Sequence, residues 1–451
     1  MMISDDSRKW WILGAMGGVM GLILLDETVV GVALPTIRKD LGLSVSLSHW
    51  VINAYLLVFT GLAAVGGKLG DIFGIRNLFT LSMLVFGAAS FACGFSDSGA
   101  EMVTARIFQG AGAAIIFPIS LAMITITFPA EQRGLALGIY GAVGTFFLGI
   151  GPLVGGFFTD ILSWRWIFWI NIPVMIVIAV IVLSTWRDFE KNEETAAFDY
   201  PGLLTLIGGL GLIIFALMQG PDWGWTSPLI IGMALGGIGV IWVFVHLENR
   251  KTNPLMELDL FNNGTFSVCN FVIFIAQFNQ MCIVIFGALY LQDILNLSPL
   301  MTGVILLAAV GMAPLTGTPT GMLVDRIGAR PVLLISLILT VFGMLWVGYF
   351  MSGASYVYLI PGFIAWGITN CALFIAGRRP VMASVPPEKH GQAGGILMTS
   401  QLLGGTVSVA IGGVLFALTG NYAIIFTVAA ALTAVGLIWA WFSAEKIVSD
   451  S

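Results

Sequence analysis

Charge is what this sequence has least of. Asp, Glu, Lys and Arg make up 10% of its 451 residues, and the net charge is only −5, where soluble domains carry roughly 25% charged residues. That scarcity excludes a soluble globular protein. No run of Lys and Arg marks a nucleic-acid interface, so nucleic acid is not a partner. The four cysteines, Cys93, Cys269, Cys282 and Cys371, all sit inside apolar runs, so neither a disulfide framework nor a metal-ligand spacing is expected. The three histidines, His49, His246 and His390, are too scattered for a metal cluster, and no phosphate-cradling glycine loop occurs. An ATP-driven pump and a metalloenzyme are thereby disfavoured, and no enzyme activity, metal or organic cofactor is expected.

What is present is apolar: 58% hydrophobic residues, 56 glycines and a mean hydropathy of +0.98. The apolar runs are continuous and about 20 residues long, as one bilayer-crossing helix requires, whereas barrel strands would alternate. They fall at 11–35, 47–66, 77–96, 100–124, 133–158, 164–185, 200–219, 227–246, 265–291, 299–323, 331–350, 354–377, 391–418 and 421–443. The expected fold is therefore all-α and integral to the membrane, with fourteen transmembrane helices. The first run is too long for a signal-peptide core and lacks a small-residue cleavage site, so it counts as a span.

Positive loops resist translocation. With the N-terminus inside, fifteen of the 19 Lys and Arg residues fall in cytoplasmic segments, Arg378 and Arg379 among them; Arg38, Lys39 and Arg165 fall outside, and Arg106 lies within the fourth span. Both termini are thus expected in the cytoplasm, with the protein in the inner membrane.

One internal repeat organises the chain. Gly67 to Arg76 recurs as Gly321 to Arg330 with five identities at equal offsets: Gly67, Leu69, Asp71, Gly74 and Arg76 against Gly321, Leu323, Asp325, Gly328 and Arg330. Each copy follows the second helix of a six-helix block, the parallel two-half plan of secondary transporters. The expected division is an N-terminal bundle over 1–186, an inserted helix pair with polar linkers over 187–263, and a C-terminal bundle over 264–451.

Ionisable groups within a span are costly and are functional candidates by default. Of 24 acidic residues only Asp26 and Glu27 lie well inside a span. Asp26 and Arg106 fall at similar depth, roughly 13 and 10 Å from the same face at 1.5 Å per residue, so they can pair. A carboxylate whose proton affinity is set by burial and a nearby guanidinium can load and release protons; a purely structural ion pair is the competing account. Glu27 is about 100° around the helix from Asp26 and faces either a substrate path or a helix contact. Asn53, Gln109, Gln277, Gln280, Asn370 and Gln401 are polar groups on other spans, available to line a cavity or to bond between helices. The fifth span carries Gly149, Gly151, Pro152, Gly155 and Gly156, a density that weakens a helix unless close packing or bending compensates.

With these residues in view, the chain resembles the major facilitator superfamily along its whole length, and within it the fourteen-helix drug:proton antiporters of the EmrB/QacA type. The likeness rests on Leu25-Asp26-Glu27-Thr28 through Pro35, Gly67 to Arg76, Arg106-Ile-Phe-Gln109-Gly110, Gly141 to Gly156, and Trp164 through Asn171 to Pro173. It departs from the usual pattern at Gly31, at Glu27, where a small residue is common, and at Ile72. The resemblance implies two rocking bundles that exchange protons for lipophilic compounds, with Asp26 as coupling acid, Arg106 assisting it, the two loop motifs as a conformational latch and the fifth-helix glycines as the antiporter motif. The proton gradient would be the energy source. Substrates would be monovalent cations or neutral amphipaths, and partners the bilayer and protons, with a periplasmic adaptor left open. A carrier for one metabolite or siderophore-like compound is the alternative; an anion site should show a second central Arg or Lys, and the spans as read contain only Arg106.

Overall fold

A computed structural model describes residues 5–186, 199–251, 254–351, 353, 355–386 and 389–443. It contains fourteen helices long and apolar enough to cross a membrane, and no strand occurs among the described residues. In chain order they are α1 (Asp5–Asp40), α2 (Val45–Phe73), α3 (Ile75–Phe95), α4 (Gly99–Thr127), α5 (Glu131–Leu162), α6 (Trp166–Thr185), α7 (Tyr200–Trp223), α8 (Pro228–Glu248), α9 (Gly264–Ile294), α10 (Pro299–Ile327), α11 (Ala329–Phe350), α12 (Tyr356–Ala383), α13 (Gln392–Thr419) and α14 (Ala423–Ser443). Helices satisfy their own backbone, which is why hydrocarbon selects them. Their free N-terminal amides are met by short side chains: Ser44, Ser98, Asp199, Asn263 and Ser298 cap α2, α4, α7, α9 and α10.

The repeat seen in the sequence is a repeat of packing. In the first half α1 packs on α5, α2 and α3 on α4, and α3 on α6; in the second half α9 packs on α13, α10 and α11 on α12, and α11 on α14. The two loop motifs end α2 and α10 in the same way. Gly74 and Gly328 have φ of +84° and +85°, a left-handed conformation that L side chains avoid, so glycine is required at both turns.

Helices α1 and α9, the first of each half, form the centre: 83% and 94% of their apolar windows are buried. The halves meet along two seams, α5 against α10 and α2 against α13. On the face opposite the chain ends the closure is tight. Arg38 pairs with Asp293 at 2.8 Å, and Gln292 Nε2 donates to the Val32 carbonyl at 2.8 Å. The α5 glycines account for the rest: added Cβ atoms at Gly151 and Gly155 would run into Thr28 and Val29 of α1, and at Gly149 and Gly156 they would press on Val310 and on the Pro299–Leu300 backbone of α10. Close packing is therefore what this motif does in the observed state.

The inserted α7–α8 hairpin lies over the α2/α13 seam. Leu62 and Leu69 of α2, Leu203 and Leu206 of α7, and Ile396 and Leu397 of α13 share one apolar cluster. Ser46 Oγ donates to the Met218 carbonyl at 3.0 Å. The linker expected over 187–199 lies outside the described residues up to Asp199. At the hairpin base Asp199 pairs with Lys251 and accepts the Gly202 amide at 2.8 Å. Burial would raise the Asp199 pKa, but hydrogen bonds from Glu248, Lys251 and Gly202 hold it below the ordinary carboxylate value.

Two outcomes follow from this packing. A Cβ at Gly303 drives into the Pro152 backbone, so Gly303→Val should cost about 1–3 kcal/mol, read as a lower midpoint in detergent thermal unfolding. Because the folded-state pKa of Asp199 is depressed, its stabilising contribution is present above the unfolded value of about 4 and is lost as pH falls below it. Protection factors of the amides at the start of α7, taken relative to the intrinsic exchange rate at each pH, should accordingly fall in acid, and Asp199→Asn should flatten that dependence.

Candidate functional site

Asp26 and Arg106 do meet. Both are about 1% exposed, and Arg106 Nη1 donates to Asp26 Oδ2 at 2.6 Å. The same nitrogen donates to Gln109 Oε1 at 2.7 Å, Nε donates to the Val51 carbonyl at 2.9 Å, and Gln109 Nε2 returns to Asp26 Oδ1 at 3.0 Å. The guanidinium carbon lies 4.3 Å from the Tyr55 ring centre, which adds a cation–π contact. Gln109 follows Arg106 at i+3, hence on the same face. Gly110 lets α4 approach α2, since a Cβ there would sit 2.5 Å from the Tyr55 carbonyl. Ser90 and Asn171 extend the network, with Asn171 Nδ2 donating to Ser90 Oγ at 2.9 Å; neither was a sequence candidate, because a lone Ser or Asn in an apolar run carries no signal by itself.

Glu27 points elsewhere. It lines a cavity of about 520 Å³ between the halves whose walls reach Leu137 on α5, Arg378 on α12 and Met398 on α13, toward the face carrying the chain ends. Phe59, Phe117 and Phe374 are among the residues that line it. Both amides that bond Glu27 come from α9: Gln277 Nε2 donates to Oε1, and Gln280 Nε2 donates to the same oxygen at 3.1 Å. Behind Gln280, Asn370 Nδ2 donates to its Oε1 at 3.0 Å. Behind Gln277, Gln401 Nε2 donates to its Oε1 at 3.1 Å, and Arg378 Nη2 donates to Gln401 Oε1 at 2.6 Å.

The expected cavity group therefore divides. Glu27, Gln280 and Gln401 line the cavity, with Gln277 bonded immediately behind. Gln109 belongs to the sealed Asp26 network instead. Asn53 is fully buried and faces α7, its Nδ2 2.9 Å from Met218 Sδ, because α2 turns that face toward the inserted hairpin. Arg378 corrects two expectations. It lies within helix α12, where the sequence suggested a cytoplasmic loop, and it supplies the second cavity cation that the spans as read seemed to lack.

The described hydrogen bonds and ion pairs of the loop motifs lie within their own halves. Arg76 Nη2 donates to the Leu183 carbonyl at 3.4 Å, Arg330 Nη2 to the Trp441 carbonyl at 3.5 Å, and Asp325 pairs with Arg379. The side chains of Gly67 and Asp71 lie outside the described residues. A Cβ added at Gly321 would meet nothing within 4 Å. Leu69 of the first motif packs into the apolar cluster that also holds Ile396 and Leu397 of α13, so that motif touches the other half through an apolar contact.

With the two-half fold and a membrane-embedded cavity in place, comparison with known proteins decides the family. The Major Facilitator Superfamily model matches residues 16–199 and 269–450. The chain belongs to that superfamily. Among its relatives, the puromycin resistance protein of Streptomyces alboniger is 32% identical over 90% of this chain and 81% of its own length. The riboflavin transporter of Clostridioides difficile is 30% identical over 92% and 90%, and the tetracenomycin C resistance and export protein of Streptomyces glaucescens is 28% identical over 91% and 76%. The inward-open xylose transporter of E. coli superposes with a TM-score of 0.68 at 14% identity, covering 99% of this chain and 97% of that one, which is a likeness of fold. The superfamily member is thus a multi-pass transporter of the type that includes multidrug and antibiotic exporters.

Removing one partner of a buried ion pair strands the other, at about 3–5 kcal/mol, whereas replacing both with apolar residues is often near neutral. Arg106→Met alone should lower the thermal midpoint more than the double variant Asp26→Leu/Arg106→Met. A double-mutant cycle in detergent measures this.

Proposed function

We propose that the protein is a proton-coupled antiporter that exports lipophilic, monovalent cationic or neutral compounds. The observation that carries this reading is a pair of adjacent carboxylates turned to different tasks: Asp26 sealed against Arg106 inside one bundle, and Glu27 set in an aromatic-walled cavity between the bundles. The relatives named for puromycin resistance and tetracenomycin C export support the direction. The excess of Lys and Arg on the face bearing the chain ends supports its assignment to the cytoplasm of an inner membrane.

On this reading residues 1–186 and 264–451 are the moving bundles, and 187–263 is the inserted pair. The cavity opens to the cytoplasm while Arg38–Asp293 and the α5/α10 contacts shut the outer face. Substrate enters beside Glu27, and the bundles rock to expose it outside. A proton taken up there neutralises Asp26, weakens its pairing with Arg106, and leaves on the return to the inward state. Each proton moving inward is worth about 2.3 kcal/mol per 100 mV, enough to drive uphill export. The loop motifs, whose described hydrogen bonds and ion pairs lie within each half, would exchange polar contacts across the halves in the outward state, and the α5 glycines keep α1, α5 and α10 close enough to move together.

The test uses everted membrane vesicles carrying a pH gradient. Lipophilic cations should collapse the gradient in wild type, and Asp26→Asn should abolish the response. No response to any such compound would overturn the reading. An undiminished response in Asp26→Asn would remove the coupling role from that residue. A second reading, a carrier for one polar metabolite, is favoured by the riboflavin transporter relative; it would show as a saturable response to a single compound.

A further inference from the structure

The cavity holds a charge that the proposed cycle leaves unused. Arg378 lines its mouth and is exposed to it, and pairs with no carboxylate among the described residues. Its neighbour Arg379 is different, being bound to Asp325. Arg378 spends one donor on Gln401 Oε1 and lies over Phe374, 5.5 Å from the ring centre. A guanidinium has five N–H donors in a planar fork that matches a carboxylate or phosphate, so most of that fork is open to the cavity. At the open mouth, where it is exposed, this guanidinium is available to an anionic group.

The direction of the hydrogen bonds adds the second half of the argument. From Arg378 to Gln401 to Gln277 to Glu27 every link donates toward Glu27, and Asn370 to Gln280 to Glu27 runs the same way. Chains oriented head to tail polarise one another. The C-terminal half thus presents a positive end at the mouth and amide donors at the depth, while the N-terminal half presents one carboxylate. Cavity charge is balanced overall but separated in space, by no more than roughly 12 Å along the bonded chain at ordinary hydrogen-bond lengths. A simple cation satisfies Glu27 and leaves Arg378 uncompensated. A simple anion does the reverse.

We infer that the site is built for amphipaths carrying both charges, a zwitterion whose anionic group docks on Arg378 over Phe374 and whose cationic group lies toward Glu27. This rests on the cavity being the substrate site, and it narrows the substrate class given above. Arg378 is the specificity-determining residue, because it distinguishes a zwitterion from the same molecule with its acid blocked.

Rhodamine B and its ethyl ester provide the comparison, since they share one ring system and differ by one negative charge. Binding is followed by fluorescence anisotropy to purified protein in neutral-lipid nanodiscs, with empty discs subtracted. Wild type should bind the zwitterion about tenfold more tightly than the cationic ester. Arg378→Gln should abolish that preference by weakening the zwitterion and leaving the ester unchanged; Arg378→Lys should restore part of it, and Glu27→Gln should weaken both dyes. Equal binding of the two dyes by wild type, tighter binding of the ester, or an unchanged ratio in a folded Arg378→Gln protein would overturn the assignment. If the dyes discriminate through Arg378 but no lipophilic compound collapses a pH gradient, proton-driven export fails while the zwitterion site stands.

Discussion

A carboxylate surrounded by hydrocarbon has no water to turn to, so its partners must come from the protein. Asp26 and Glu27 meet that constraint in opposite directions. Asp26 is tied by Arg106 and Gln109 to α4, within its own half, while Glu27 is tied by Gln277 and Gln280 to α9, in the other half. Two neighbouring residues on α1 therefore bind that helix to its bundle and to the opposing bundle at once. Any rocking of the halves must remake the second set of bonds and can leave the first intact.

The packing around α1 serves the same end. Glycines on α5 bring α1 and α10 against it without side chains intervening, and the α2/α13 seam is covered by α7 of the inserted pair. The face opposite the chain ends is closed by a salt bridge and backbone contacts, while the cavity stays open toward the face that carries them. The inserted hairpin is anchored at its base by Asp199 and Lys251, which places its strongest polar contact at the membrane edge, where charge is cheapest to hold.

Much of this was legible in the sequence. Fourteen apolar runs became fourteen helices, since twenty apolar residues in a row have few other stable fates in a bilayer. The ten-residue repeat marked two equivalent turns because the left-handed glycine at Gly74 and Gly328 is a local requirement. Depth counting along single helices put Asp26 level with Arg106, and their contact followed. Those properties belong to one helix or one turn at a time.

Rotation about each helix axis, and the bending of one helix against another, belong to the assembled structure. Asn53 and Gln109 read as cavity residues on composition alone, yet packing turned the first to α7 and the second to Asp26. Arg378 read as a loop cation because the apolar run of the twelfth span ended at 377, yet α12 continues through it and sets it in the cavity wall. Ser90 gave no signal, and Asn171 figured only within the Trp164 to Pro173 likeness, until α3 and α6 brought them together. The sequence by itself determined how many times the chain crosses the bilayer, which turns repeat and that Asp26, Glu27 and Arg106 lie within it, because these depend on short-range hydrophobicity and backbone strain. Only the tertiary structure decided which charges face each other and which face the cavity, because that depends on the angle at which separate helices meet.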